Sequence, residues 1–236
     1  MAAALVATLL SAPAMALEKT AAPFDGDRDA WQRGTDCTIT YYNICTGWIW
    51  IWSGWSPGDQ FGVSFTSCCA GGNESSVVGS WIYFGTGSPA GYGFTGTMEV
   101  YDADGNGCPT GASVYSDNMF LPTSGWNFVD LSSSAVLVPD ATFAMTYTLS
   151  ATSGDPMDIW TDHPAAGPTG PASCGSCFPA TRVANSFYYG TAASPLCPGS
   201  VLNDGVCDAE FIWDVDVSCT VSVEATTWSS VKDLYR

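Results

Sequence analysis

The sequence predicts an all-β fold: a disulfide-rich, jelly-roll-like β-sandwich with a long irregular segment before its last strand. Three observations carry that prediction. Short runs rich in β-branched and aromatic residues recur along the chain, separated by Gly, Pro, Ser and Asn. No ten-residue stretch shows a 3.6-residue apolar period, so helices are not expected. Ten cysteines, an even number, follow an apolar N-terminus that reads as an export signal, which points to an oxidised framework.

The elements follow in order. Ala2 to Leu10 are apolar and precede Ser11-Ala12-Pro13-Ala14-Met15-Ala16, whose small residues at Ala14 and Ala16 fit an A-x-A cleavage site. Residues 1–16 are therefore read as a signal peptide, the alternative being a buried N-terminal helix, since the run is too short to span a bilayer. Residues 17–35 are polar, contain Asp25-Gly26-Asp27-Arg28-Asp29, and read as an N-terminal arm. Residues 36–225 form the expected sandwich domain. Its strands are predicted at 37–43, 47–53, 60–66, 77–85, 95–102, 112–116, 126–131, 135–138, 142–150 and 210–223, each a β-rich run bounded by turn residues. Residues 151–209 are expected to be irregular and tied down by four cysteines. Residues 226–236 read as a separate tail.

The cysteines Cys37, Cys45, Cys68, Cys69, Cys108, Cys174, Cys177, Cys197, Cys207 and Cys219 allow up to five bridges. Cys68 and Cys69 are adjacent, and a bond between them would strain the intervening peptide. Each is expected to pair elsewhere, with Cys45 and Cys108 the nearest candidates. Cys37 and Cys219 lie in the first and last strand-like runs, where a mutual bridge would close almost the whole domain. A zinc ribbon would need a second close pair beside Cys174-x-x-Cys177, and the sequence offers none.

Charge narrows the function classes. The 236 residues carry 6 Lys+Arg against 23 Asp+Glu, a formal charge of −17, and there is no Lys or Arg between Gly34 and Thr181. That argues against a nucleic-acid partner, a polybasic membrane patch or an arginine clamp for phosphate. No stretch after the leader approaches the roughly 20 apolar residues of a membrane-spanning helix. The expected location is extracellular or at the cell surface, with a polysaccharide or a protein as partner.

Gly47-Trp48-Ile49-Trp50-Ile51-Trp52-Ser53-Gly54-Trp55 is the most unusual segment. In a strand, Trp48, Trp50 and Trp52 share one face and Ile49 and Ile51 the other. Burial of both faces is the preferred reading. The alternatives are a flat carbohydrate-binding platform of Trp48, Trp50, Trp52 and Trp55, and a protein interface.

The acidic residues offer weaker signals. Asp102-Ala103-Asp104-Gly105-Asn106-Gly107 opens like a calcium loop, with Asp102, Asp104 and Asn106 as ligands, but the twelfth position is Ser113 instead of Glu. A β-turn is the preferred reading, a structural calcium the alternative, and no other cofactor is expected. Asp204, Asp208 and Glu210 read as a solvated acidic loop. The single histidine, His163, has no accompanying nucleophile motif, and no catalytic residue is assigned. A two-carboxylate glycosidase would draw on Asp158, Asp162, Asp214 and Asp216, of which Asp214 and Asp216 share a strand face.

One stretch resembles a known group. Asp104-Gly-Asn106-Gly-Cys108-Pro-Thr-Gly111, then Gly125-Trp126-Asn-Phe128-Val-Asp130-Leu131 and Val136-Leu-Val138-Pro-Asp-Ala-Thr-Phe143, is similar to the jelly-roll or β-sandwich modules of uncharacterised exported bacterial proteins. There a "DG.G.PG" turn precedes a strand and a "GW..V.L" run follows. The resemblance covers about 45 central residues and implies a non-catalytic appendage of an exported or surface protein. No ligand site is carried over from it. Thr227-Trp228-Ser-Ser-Val-Lys232-Asp-Leu-Tyr-Arg236 also looks like the ends of some exported bacterial proteins, which implies a sorting or anchoring role. The function expected is structural, adhesive or assembly-related, with carbohydrate binding and glycoside hydrolysis as alternatives.

Overall fold

The computed structural model describes residues 18–24, 26, 36–69, 75–85, 94–120, 124–134, 136–138, 141–152, 158–165, 167–169, 185–189 and 209–219. These form thirteen strands and, among the described residues, no helix. They are β1 (Glu18–Pro23), β2 (Cys37–Thr40), β3 (Trp48–Ser53), β4 (Gln60–Thr66), β5 (Ser75–Gly85), β6 (Phe94–Ala103) and β7 (Pro109–Phe120). Then follow β8 (Gly125–Asp130), β9 (Val136–Val138), β10 (Thr142–Thr152), β11 (Asp158–Asp162), β12 (Ser186–Tyr189) and β13 (Trp213–Cys219).

The strands make two antiparallel sheets packed as a sandwich. The larger runs β1-β3-β11-β5-β13-β2, with β8 and β9 also paired to β5; the smaller runs β12-β4-β10-β6-β7. From β3 to β6, and again from β9 to β13, the chain changes sheet at every strand. That back-and-forth is the jelly-roll-like feature of the topology.

Alternation places the core. On β13, Trp213, Val215 and Val217 point inward; on β5, Val77, Ile82 and Phe84 do the same. Val78 is an extra residue on β5, because Asp216 pairs with Gly79 and Val217 with Val77. Phe61 of β4 sits where the sheets meet, its ring centroid 5.0 Å from Phe211, 5.4 Å from Tyr147 and 6.0 Å from Trp213. The buried Trp213 Nε1 donates to Ser80 Oγ at 2.8 Å, so its polar atom is satisfied inside the core.

The outer face of the larger sheet is also covered at its centre. Ile49, Tyr83 and Ile212 form a second buried cluster, against which Phe24, Tyr42, Trp126 and Trp160 pack. Phe24 and Gly26 cross this face: the Phe24 ring lies 5.3 Å from that of Tyr83. A Cβ on Gly26 would come within 2.5 Å of the Tyr83 ring, a closeness that glycine alone permits.

Several expectations need correction. Glu18–Pro23, read as part of a polar arm, is a strand paired to β3 from Glu18↔Ser53 to Pro23↔Trp48. The segment 151–209, read as irregular, contributes β11 and β12, which take strand form because they pair with β3, β5 and β4. The first strand ends at Thr40 rather than at residue 43, and Tyr41 to Ile44 lie outside any strand.

The cysteine pairing differs too. Cys37 bonds Cys68 and Cys69 bonds Cys219, so β2 and β13 are joined through the adjacent pair instead of to each other. Cys45 and Cys108 are disulfide-bonded, but not to Cys68 or Cys69. Among the described residues no cysteine is free. The proposed signal peptide and C-terminal tail, the acidic trio at 25, 27 and 29, and Cys174, Cys177, Cys197 and Cys207 lie outside the described residues.

Candidate functional site

Two period-two patterns meet on the outer face of the larger sheet. Since Trp213, Val215 and Val217 point inward, Asp214 and Asp216 point outward, as the sequence spacing implied. Beside them β2 and the residues after it present Thr38, Thr40 and Tyr42, again at alternate positions. Thr38 Oγ1 donates to Asp216 Oδ1 at 2.6 Å, Thr40 Oγ1 donates to Asp214 Oδ1 at 2.5 Å, and Tyr42 OH donates to Asp214 Oδ2 at 3.0 Å. Trp81 Nε1 completes the set by donating to Asp216 Oδ2 at 3.0 Å, its own ring packed 4.4 Å from Phe128. Asp214 is 0 % and Asp216 5 % exposed. Hydroxyl donors thus roof an acceptor row, which is how buried carboxylates are ordinarily accommodated.

The row continues past the strand. Asn43 N donates to Asp162 Oδ2 at 2.8 Å, while Asp162 Oδ1 accepts from Glu210 N at 2.9 Å. Glu210 in turn accepts from Asn185 N at 2.9 Å, from Asn185 Nδ2 at 3.2 Å and from Ser186 Oγ at 2.6 Å. Asp162 and Glu210 are both buried, so Glu210 is not part of a solvated loop, and Asp204 and Asp208 lie outside the described residues. Two carboxylates therefore hold the chain after β2, the end of β11, the start of β12 and the approach to β13. Asp158 is buried at the other end of β11, opposite Gly85.

His163 follows directly and is fully buried. Its ring stacks on Trp50, centroids 4.2 Å apart and planes 21° apart. Nδ1 accepts from Ala165 N at 2.9 Å, which places the imidazole proton of the neutral ring on Nε2. The carbonyl of His163 accepts from Thr46 Oγ1 at 2.8 Å.

The tryptophan strand is the inner-face neighbour of this region. Trp50, Trp52 and Trp55 are buried, and of these four indoles only Trp48 is partly open. Trp52 Nε1 donates to Thr161 Oγ1 at 2.9 Å and Trp55 Nε1 to the Trp52 carbonyl at 2.8 Å. Lys19 of β1 lies over the ladder, its Nζ 4.6 Å from the Trp50 centroid and 5.7 Å from that of Trp52. Lys19 carried no signal in the sequence, because its role arises only once β1 pairs with β3. The Thr38/Thr40/Tyr42 row did carry one: a strand with hydroxyls at every second position complements Asp214 and Asp216.

At the opposite end, Asp104 closes the turn between β6 and β7. Its Oδ1 accepts from Asn106 N at 2.8 Å and Cys108 N at 2.9 Å, and Gly107 takes φ +82°. These bonds hold the exposed Asp104 carboxyl below its ordinary pKa, the Cys108 amide first and the Asn106 amide second. Asp102 is partly buried and Asn106 exposed. Among the described residues no three His, Cys, Asp or Glu side chains are grouped to hold a metal ion. Also among those residues, no helix is long and apolar enough to cross a membrane.

Comparison of the chain with protein-family models, with curated proteins and with solved structures returned no match.

Proposed function

We propose that this protein is a non-catalytic β-sandwich, exported or displayed at a cell surface, with a structural, adhesive or assembly role. The observation that carries the reading is the use made of its carboxylates. Asp162, Asp214, Asp216 and Glu210 are buried acceptors whose hydrogen bonds join chain segments far apart in sequence. A glycosidase pair needs one carboxyl to reach the glycosidic oxygen and the other to reach the sugar ring or a water. Asp214 and Asp216, roofed by Thr38, Thr40, Tyr42 and Trp81, offer no such access. The disulfides among the described residues, Cys37–Cys68 and Cys69–Cys219 included, support an oxidising compartment.

Incubation of the wild-type protein with a broad panel of poly- and oligosaccharides tests the reading, with released reducing ends as the measurement. No hydrolysis is expected. Turnover abolished by Asp214→Asn in a variant that still folds would establish the glycosidase instead. Polysaccharide binding through the tryptophan strand remains the second reading, supported by the partial exposure of Trp48 at the start of β3.

A further inference from the structure

The edge of the larger sheet joins one of the most adhesive segments of the chain to one of the least anchored. Strand β3 reads Trp-Ile-Trp-Ile-Trp-Ser, five residues of high β-propensity and a serine, with no charge, Gly or Pro. An uncovered edge of that composition is a template for pairing with another chain. Strand β1 covers it along its whole length, in register from Glu18↔Ser53 to Pro23↔Trp48.

Yet β1 buries little apolar surface. Glu18, Lys19, Thr20 and Pro23 are exposed, while Ala21 packs on the main core, Ala22 on the outer cluster, and Lys19 lies over Trp50 and Trp52. A strand with so little apolar burial opens at a free energy below that of global unfolding. Two further facts leave it free to leave its place. Strand β1 contains no cysteine, so no disulfide fastens it to β3, whereas β2 and β13 are each bridged to the adjacent cysteines after β4. Moreover β1 and β2, consecutive in sequence, sit at opposite edges of the sheet. The thirteen residues 24–36 that join them can reach roughly 43 Å when extended, whereas five strand spacings measure about 24 Å. No hairpin ties β1 to its own β3.

We propose that β1 is an exchangeable strand, able to occupy the β3 edge of a second copy of this chain in the register it uses at home, and so to link copies. The occupant is defined by the structure itself, since the β3 edge already accepts this sequence. Lys19 would then lie over the partner copy's tryptophan ladder, and Phe24 would leave its contact with Tyr83. The inference deepens the assembly role proposed above and rests on that reading.

The test uses full chains carrying Thr20→p-benzoylphenylalanine, opposite Ile51 in the register. Unlabelled and 15N-labelled batches are mixed at high concentration and irradiated, and cross-linked peptides are read by mass spectrometry. Cross-links from β1 to β3 that join light to heavy chains are expected, rising with incubation time. Cross-links confined to one isotopic species, after long incubation, would overturn the proposal. Hydrogen exchange on the unmodified protein gives an independent measurement. The β1–β3 amides are expected to exchange well before those joining β13 to β5, and equal protection of both ladders would also overturn it. Failure of exchange leaves the non-catalytic reading standing, while glycan hydrolysis by the wild type removes that reading whatever β1 does.

Discussion

Replacing Asp162 by Asn isolates the part played by the buried carboxylates. Its two oxygens each accept from a backbone N–H, at 2.8 Å from Asn43 and 2.9 Å from Glu210, in a site with 0 % exposure. Hydrogen bonds to a charged acceptor contribute about 1.5–3 kcal/mol each, and a buried donor left without an acceptor costs about 1–3 kcal/mol. Asparagine keeps one acceptor oxygen and turns an amide NH2 toward the other N–H, so one bond is lost and one donor is stranded. The expected destabilisation is about 2–4 kcal/mol. For a chain of this size, each kcal/mol moves Tm by about 2–4 °C, giving a fall of about 5–15 °C. Denaturant unfolding of the oxidised protein, with Glu18→Gln at the exposed end of β1 as a control within about 0.5 kcal/mol, measures it. Wild-type stability in Asp162→Asn would refute the structural assignment. So would a stable variant that has lost a catalytic activity present in the wild type.

Three further expectations follow from the same contacts. Removing the Cys69–Cys219 bridge by Cys69→Ser with Cys219→Ser opens a loop of 150 residues, a loss of about 5 kcal/mol in the chain-entropy model; calorimetry showing under 1 kcal/mol would contradict its role as a staple. The combined Trp48→Ala, Trp50→Ala and Trp52→Ala variant should fail to fold, since truncating a large buried aromatic costs about 3–5 kcal/mol. Trp48→Ala alone should fold, and only if wild-type retention on insoluble polysaccharide disappears in that variant does the platform reading gain support. Asp104 should titrate below the ordinary carboxylate value in a carboxyl-resolved NMR titration. Because its folded pKa is lowered, its stabilising contribution is present above the unfolded value and is lost as pH falls through the folded one. A melting temperature that drops on adding EDTA would instead favour calcium at Asp102, Asp104 and Asn106.

The sequence alone was enough to establish the all-β class, most strand positions and the face of Asp214 and Asp216, because side-chain alternation is local and survives in any register. It could not reveal β1, whose Glu-Lys-Thr-Ala-Ala-Pro has no apolar alternation and takes strand form only from the β3 ladder. Nor could it pair the cysteines. Spacing says which residues are near in sequence, whereas the Cys37–Cys68 and Cys69–Cys219 bonds follow from where β2, β4 and β13 end in the closed sandwich. The same holds for Glu210 and Asp162. Composition marks them only as acidic, which leaves Glu210 in a solvated loop and Asp162 among the candidate glycosidase carboxylates. Tertiary closure instead brings Asn43, Asn185 and Ser186 to them from far along the chain and replaces water with fixed donors. Periodic patterns belong to the strand, and burial belongs to whatever the fold brings against it.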